Sequence, residues 1–150
     1  MKKTFILSFT FIILGIIFGI YLKYIYTSKI INVFSDGKIY YFIQEGVYSN
    51  EEIMRENTHE LENKITVKNN NKFYVYLGIT RDIKIAKKIK EIYNNKGYQI
   101  YIKEMNISNE EFYNKVYQFD LLIKNTNNDQ EILTIEEVVL SSYEEIINNS

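Results

Sequence analysis

The pattern of hydrophobic and polar positions changes character several times along this chain, and each change marks an element. Thr4 to Leu22 is a run of nineteen residues without a charge. From Tyr40 an alternation begins. Tyr41, Ile43 and Val47 fall on one face of an extended segment, and Tyr40, Phe42, Gln44 and Tyr48 on the other. Ser49 with Glu52 three positions on has capping-box spacing, so a helix is predicted from Glu51 to about Asn63, with Ile53, Met54, Asn57 and Leu61 towards a core. Ile65-Thr66-Val67 reads as a short extended piece, and Asn69-Asn70-Asn71 as a turn. Lys72 to Ile79 alternates again, with Phe73, Val75, Leu77 and Ile79 inward and Tyr74 and Tyr76 outward. A second helix starts at Thr80-Arg81-Asp82, carries Ala86, Ile89, Ile92 and Tyr93, and stops at Gly97. Tyr98 to Lys103 is a further strand, with Tyr98, Ile100 and Ile102 inward.

Strand, helix, strand thus occurs twice, with Gly46 and Gly78 at equivalent points. The expected fold class is α+β, a four-stranded antiparallel sheet with two helices on one face, the split βαβ arrangement of ferredoxin-like and RNP-like folds. Ser108 with Glu111 opens another helix, striped by Phe112, Val116, Phe119 and Ile123. Asp129 is expected to cap a last one carrying Ile132, Ile135, Val139, Tyr143 and Ile146. The sheet domain therefore spans 39–104 and an αα-hairpin 105–150. Onto the sheet face without helices the alternation projects Tyr40, Phe42, Gln44, Tyr74, Tyr76 and Tyr101, an aromatic platform with one amide. An open surface of that kind implies a partner or a covering element. If the hairpin covers it, the platform is core.

The Thr4–Leu22 run has the length of about 20 residues that spans a bilayer as a helix. It continues into Tyr21-Leu22-Lys23-Tyr24-Ile25-Tyr26 without an Ala-x-Ala site, which reads as an uncleaved single-pass anchor at 1–25 followed by a tether at 26–38. Lys2 and Lys3 favour an inside N-terminus and an extracytoplasmic C-terminal domain at the cell membrane, although Lys23 and Lys29 flank the other end.

Composition adds exclusions. With no Cys, there is no thiolate metal site, thiol nucleophile or disulfide framework. His59 lies in His-Glu-Leu-Glu-Asn, where Asn63 replaces the second histidine that a zinc-protease motif needs, so neither a metal nor any other cofactor is expected. No phosphate loop or nucleophile elbow is present, and no catalytic residues are assigned. The net charge of −1 conceals an asymmetry. Lys64 to Lys103 holds ten Lys and Arg against two acids, and Glu104 to Ser150 ten acids against two Lys. Either the halves dock on each other within one fold, or the basic one meets an anionic polymer.

Tyr41-Phe42-Ile43-Gln44-x-Gly46-Val47-Tyr48-Ser49, then Tyr74-Val75-Tyr76-Leu77-Gly78, Ala86, Gly97-Tyr98 and Ile102 resemble the SPOR (sporulation-related repeat) domain family. The resemblance covers about residues 39 to 104. Glu45 stands where the family usually has an aliphatic residue, Ile79-Thr80 replace its Pro-Phe pair, and the acidic hairpin is not part of its pattern. The resemblance implies non-catalytic binding of peptidoglycan glycan strands stripped of their stem peptides, with division or sporulation proteins as further partners. By position the family's binding residues fall on Gln44, Ser49 and Tyr76, then on Phe42, Tyr48, Tyr74 and Tyr101. Tyrosine rings can stack on sugar C–H faces, and an amide can both donate and accept. The alternative is a membrane-anchored protein-interaction scaffold of the envelope without glycan binding. Nucleic acid, which sheets of this topology also bind through strand aromatics, is not expected as a partner: the Arg/Lys-Gly-Phe/Tyr pattern is missing and the domain is placed outside the cell.

Overall fold

The computed structural model describes residues 38–149, and Lys38–Ser150 form one compact unit. The expected anchor and all but the last residue of the tether lie outside the described residues. No helix among the described residues is long and apolar enough to cross a membrane.

The elements run β1 (Lys38–Tyr48), α1 (Glu51–Thr58), β2 (Ile65–Asn69), β3 (Lys72–Thr80), α2 (Ile83–Asn95), β4 (Tyr101–Ile107), α3 (Glu110–Lys124) and α4 (Asp129–Asn148). The four strands form one antiparallel sheet in the order β2-β3-β1-β4. Asn70 and Asn71, both at positive φ, make the tight β2–β3 turn that hairpin twist favours. Against one face pack α1 and α2, with Met54, Leu61, Ile85, Ile89 and Ile92 meeting Ile43, Val75 and Leu77.

Expectation and structure differ in detail at the helix starts. Asn50, not Ser49, caps α1, its side chain accepting from the Glu52 and Ile53 amides. Asn109 rather than Ser108 caps α3, and Asn128 rather than Asp129 caps α4. In each case a short amide side chain stands one residue nearer the helix than the carboxylate-spaced serine, or one before the aspartate, and takes the free N–H groups.

The larger difference is in face assignment. Glu45 in β1 and Leu77 in β3 are extra residues in the β1–β3 ladder, which shifts register between Ile43 and Gln44 and again between Gln44 and Gly46. Such a bulge reverses the side-chain alternation beyond it. Val47 therefore stands opposite Tyr74, while Tyr48 stands opposite Phe73 and packs towards the α1/α2 core. Ile79 crosses to the other face. A Cβ on Gly46 would lie 2.9 Å from the Tyr48 ring. Glycine there lets the ring fold back, and its hydroxyl donates to both oxygens of Glu45 at 2.9 Å.

The second face is not open. Phe112, Val116, Val139, Leu140 and Tyr143 of the hairpin pack on Tyr40, Phe42, Tyr76 and Ile79 in a second core. Tyr40 stacks on Phe112 at 5.4 Å between ring centroids, and Phe42 meets Tyr143 edge-on at 5.2 Å. What seats the hairpin is polar. β2 pairs with β3 only as far as Tyr76, leaving the last residues of β3 without a strand on that side. There the Ile79 amide donates to Oε2 of Glu136 at 2.8 Å, and the Arg81 amide to Oδ2 of Asp120 at 3.0 Å. The Thr80 hydroxyl donates to Oδ1 of Asp120 at 2.5 Å. Gly78 makes the approach possible, since a Cβ there would lie 2.9 Å from the Glu136 carboxylate. The opposite charges of the two sequence stretches contribute little directly. The salt bridge between them among the described residues uses the minority signs, Lys124 with Asp82 at 2.8 Å.

Burial pushes the Glu136 carboxyl up to about 8, against a lowering by the Ile79 amide, and burial raises Asp120 as well. Glu136 is therefore protonated in the folded protein at neutral pH. An acid whose folded pKa is raised contributes fully below its unfolded value of 4.5 and loses that contribution as the unfolded chain ionises first. Stability falls from about pH 5 to pH 8 by an amount on the order of 3 kcal/mol. Denaturant titrations at pH 5, 6.5 and 8 measure this, and Glu136→Gln flattens most of the slope. Removing 108–150 uncovers Tyr40, Phe42, Tyr76 and Ile79, each worth roughly 1.5–3 kcal/mol when buried. That rivals the whole stability of a typical domain. Fragment 38–107 is expected to lose its near-ultraviolet circular dichroism and to bind a hydrophobic dye.

Candidate functional site

The hairpin does not cover the sheet to its end. Beyond Tyr143, between α4 and the strands, a groove of about 350 Å³ opens, lined by Gln44, Tyr74, Tyr76, Asn69, Lys103 and Tyr143 among others. That volume is at the lower end of the range of about 300–1,000 Å³ typical of small-molecule sites. All four strands contribute to the walls. Gln44 and Tyr76 are register partners across β1 and β3 and so share a face, and Tyr74 follows two positions earlier on β3. The Tyr74 and Tyr76 rings stack with centroids 6.4 Å apart, and Phe42 meets Tyr76 edge-on at 4.9 Å from beneath.

The seven residues expected from the sequence are not all brought together. Gln44, Tyr74 and Tyr76 converge on the groove. Tyr101 stands directly opposite Gln44, on the same face of β4, and is 49% exposed. Phe42 is fully buried, so it supports Tyr76 and offers no surface. Tyr48 lies on the other face, carried there by the Glu45 bulge, and Ser49 is exposed between β1 and α1; neither lines the groove. Six lining residues escaped the sequence reading, Tyr143, Asn69 and Lys103 among them. Tyr143 was read only as part of a core stripe, Asn69 only as a turn residue, and Lys103 only as a strand end. The signal for Lys103 was available, since it shares parity with Tyr101 on one strand.

The chemistry of the groove follows from its contents. Burial pushes the Tyr76 hydroxyl up to about 12, so it is a neutral donor, used here towards Sδ of Met105 at 3.8 Å. Gln44 is 5% exposed, and its Oε1 is buried without a hydrogen-bond partner. Stacked rings, an amide with spare capacity and a lysine can hold a hydroxylated ring of the kind found in sugars. His59, at the end of α1, makes local contacts: its Nδ1–H donates to the Glu56 carbonyl at 2.7 Å, and its Nε2 lies 3.8 Å from Oε1 of Glu60. No group of three or more candidate metal ligands occurs among the described residues. No protein-family model, curated protein or solved structure gives a significant match to the chain.

An unpaired buried carbonyl costs about 1–3 kcal/mol, and an apolar group of the same shape removes that cost. Gln44→Met is therefore expected to raise the unfolding free energy by about 1 kcal/mol in a denaturant titration.

Proposed function

We propose that the chain is a non-catalytic, membrane-anchored SPOR-like protein of the cell envelope that binds peptidoglycan glycan, stripped of its stem peptides, in division or spore formation. The observation that carries this reading is the convergence of Gln44, Tyr74 and Tyr76 on one groove, since these three are among the positions that match the family's binding residues. The contact surface differs from a flat platform. With Tyr40 and Phe42 sealed under α3 and α4, the groove takes one or a few sugar residues, held between the Tyr74 ring and the amide of Gln44, with Tyr101 beside them.

The test is co-sedimentation of residues 38–150, the compact unit, with purified cell-wall sacculi before and after an amidase has removed the stem peptides. Enrichment on amidase-treated walls is expected, with about a tenfold loss for Tyr74→Ala, a typical value for removing one aromatic contact. Unchanged circular dichroism shows that the variant is folded. Sedimentation with neither wall sinks the glycan reading and leaves the envelope scaffold, for which the acidic hairpin is the docking element.

A further inference from the structure

The groove carries a charge that the aromatic residues do not explain. Lys103 is its only cationic lining side chain among the described residues. It stands opposite Phe42 in the β1–β4 ladder and shares its face, two positions from Tyr101. It is exposed, and its ammonium group has no hydrogen-bond or ion-pair partner among the described residues. Glu104 is the acid among the lining residues. However, its register partner is Tyr41, which packs against the α1/α2 core, so the Glu104 side chain projects to the other face. The groove therefore presents one uncompensated positive charge beside stacked rings and an amide.

Resting on the glycan reading above, this charge distinguishes two states of the same polymer. In glycan that bears stem peptides, the lactyl group of each muramic residue ends in a neutral amide. Amidase hydrolysis of that bond leaves a lactyl carboxylate. A stripped strand is thus a polyanion with one carboxylate per disaccharide, while an uncharged glycan of the same backbone offers only hydroxyl and acetamido groups. We propose that Lys103 is a specificity-determining residue that pairs with a lactyl carboxylate, while Tyr74, Tyr76 and Gln44 hold the sugar ring. The carboxylate is then the feature by which the groove selects stripped strands, through a charge-assisted hydrogen bond at the groove edge.

Three soluble probes test this with residues 38–150: muropeptide-free glycan oligomers with free lactyl carboxylates, the same oligomers with those carboxylates converted to methylamides, and chito-oligosaccharides, which lack the lactyl group. Titration calorimetry is expected to show about a fivefold preference for the free carboxylate, shrinking as salt is raised. Lys103→Gln abolishes the preference while keeping the affinity for the methylamide, and Lys103→Arg restores it. A preference that survives Lys103→Gln, or one absent from the unaltered protein while it binds all three probes, overturns the assignment to Lys103 and leaves the glycan reading intact. Binding to none of the three overturns both.

Discussion

Two helix carboxyl groups on the bare edge of one strand hold this molecule in its particular form. β3 outruns β2, and the amides of Ile79 and Arg81 face the side where no strand follows. Buried amides need acceptors. Here Glu136 of α4 and Asp120 of α3 supply them, and Thr80 adds its hydroxyl to the same aspartate. A strand edge of this sort is also a site for unwanted pairing, and covering it with helices removes the hazard. The helices that bring these acids also carry Phe112, Val116, Val139 and Leu140, so satisfying the edge and covering the aromatic face are one event. Gly78 is the hinge of the arrangement in a steric sense, because any larger residue would displace the carboxylate that closes the edge.

Covering the face changes what it can recognise. In a sheet open on one side, Tyr40 and Phe42 would be available to a long polymer; here both are fully buried. Opening the hairpin to expose them would surrender burial of several large side chains, a cost comparable with total folding stability. At that cost the covered form is overwhelmingly the populated one. What recognition the face retains is confined to the place where α4 runs past the strands, and this fixes the groove as short. A groove of about 350 Å³ has room for a small ligand or a short piece of a polymer, not for an extended strand.

The sequence made the elements and their order readable because periodicity is a local signal: β1, β3 and both hairpin helices fell near their expected positions, and so did the division of Met54, Ile89 and Val75 into one core. It did not reveal the Glu45 and Leu77 bulges, because a bulge depends on which residue of the partner strand is skipped, and that is not local. In each strand one extra residue was enough: Glu45 moved Tyr48 away from the site, and Leu77 put Ile79 into the second core. The sequence likewise showed that the hairpin stripes needed a partner without showing which. Asp120 and Glu136 looked like ordinary members of an acidic, solvated segment. Only the packed structure reveals them as buried acceptors, with their charge largely suppressed by burial at Glu136.

Three buried side-chain atoms lack partners among the described residues: the Tyr40 hydroxyl, Glu136 Oε1 and Gln44 Oε1. All belong to the contact between sheet and hairpin, but they differ in kind. Tyr40 contributes its ring to the stack on Phe112, and its hydroxyl is pushed up to about 12 by burial, so it is a core aromatic whose polar atom is incidental. Glu136 uses its other oxygen to close the β3 edge. Gln44 has no such structural task. A leucine or methionine would fill its place without leaving a carbonyl unpaired, and the second core around it is otherwise aromatic and aliphatic. Of the three it alone borders the groove. A residue that burdens the fold and stands at the edge of a polar cleft is one whose unpaired carbonyl any donor entering the cleft would satisfy, and the cost carried by the empty site would then return as affinity in the filled one.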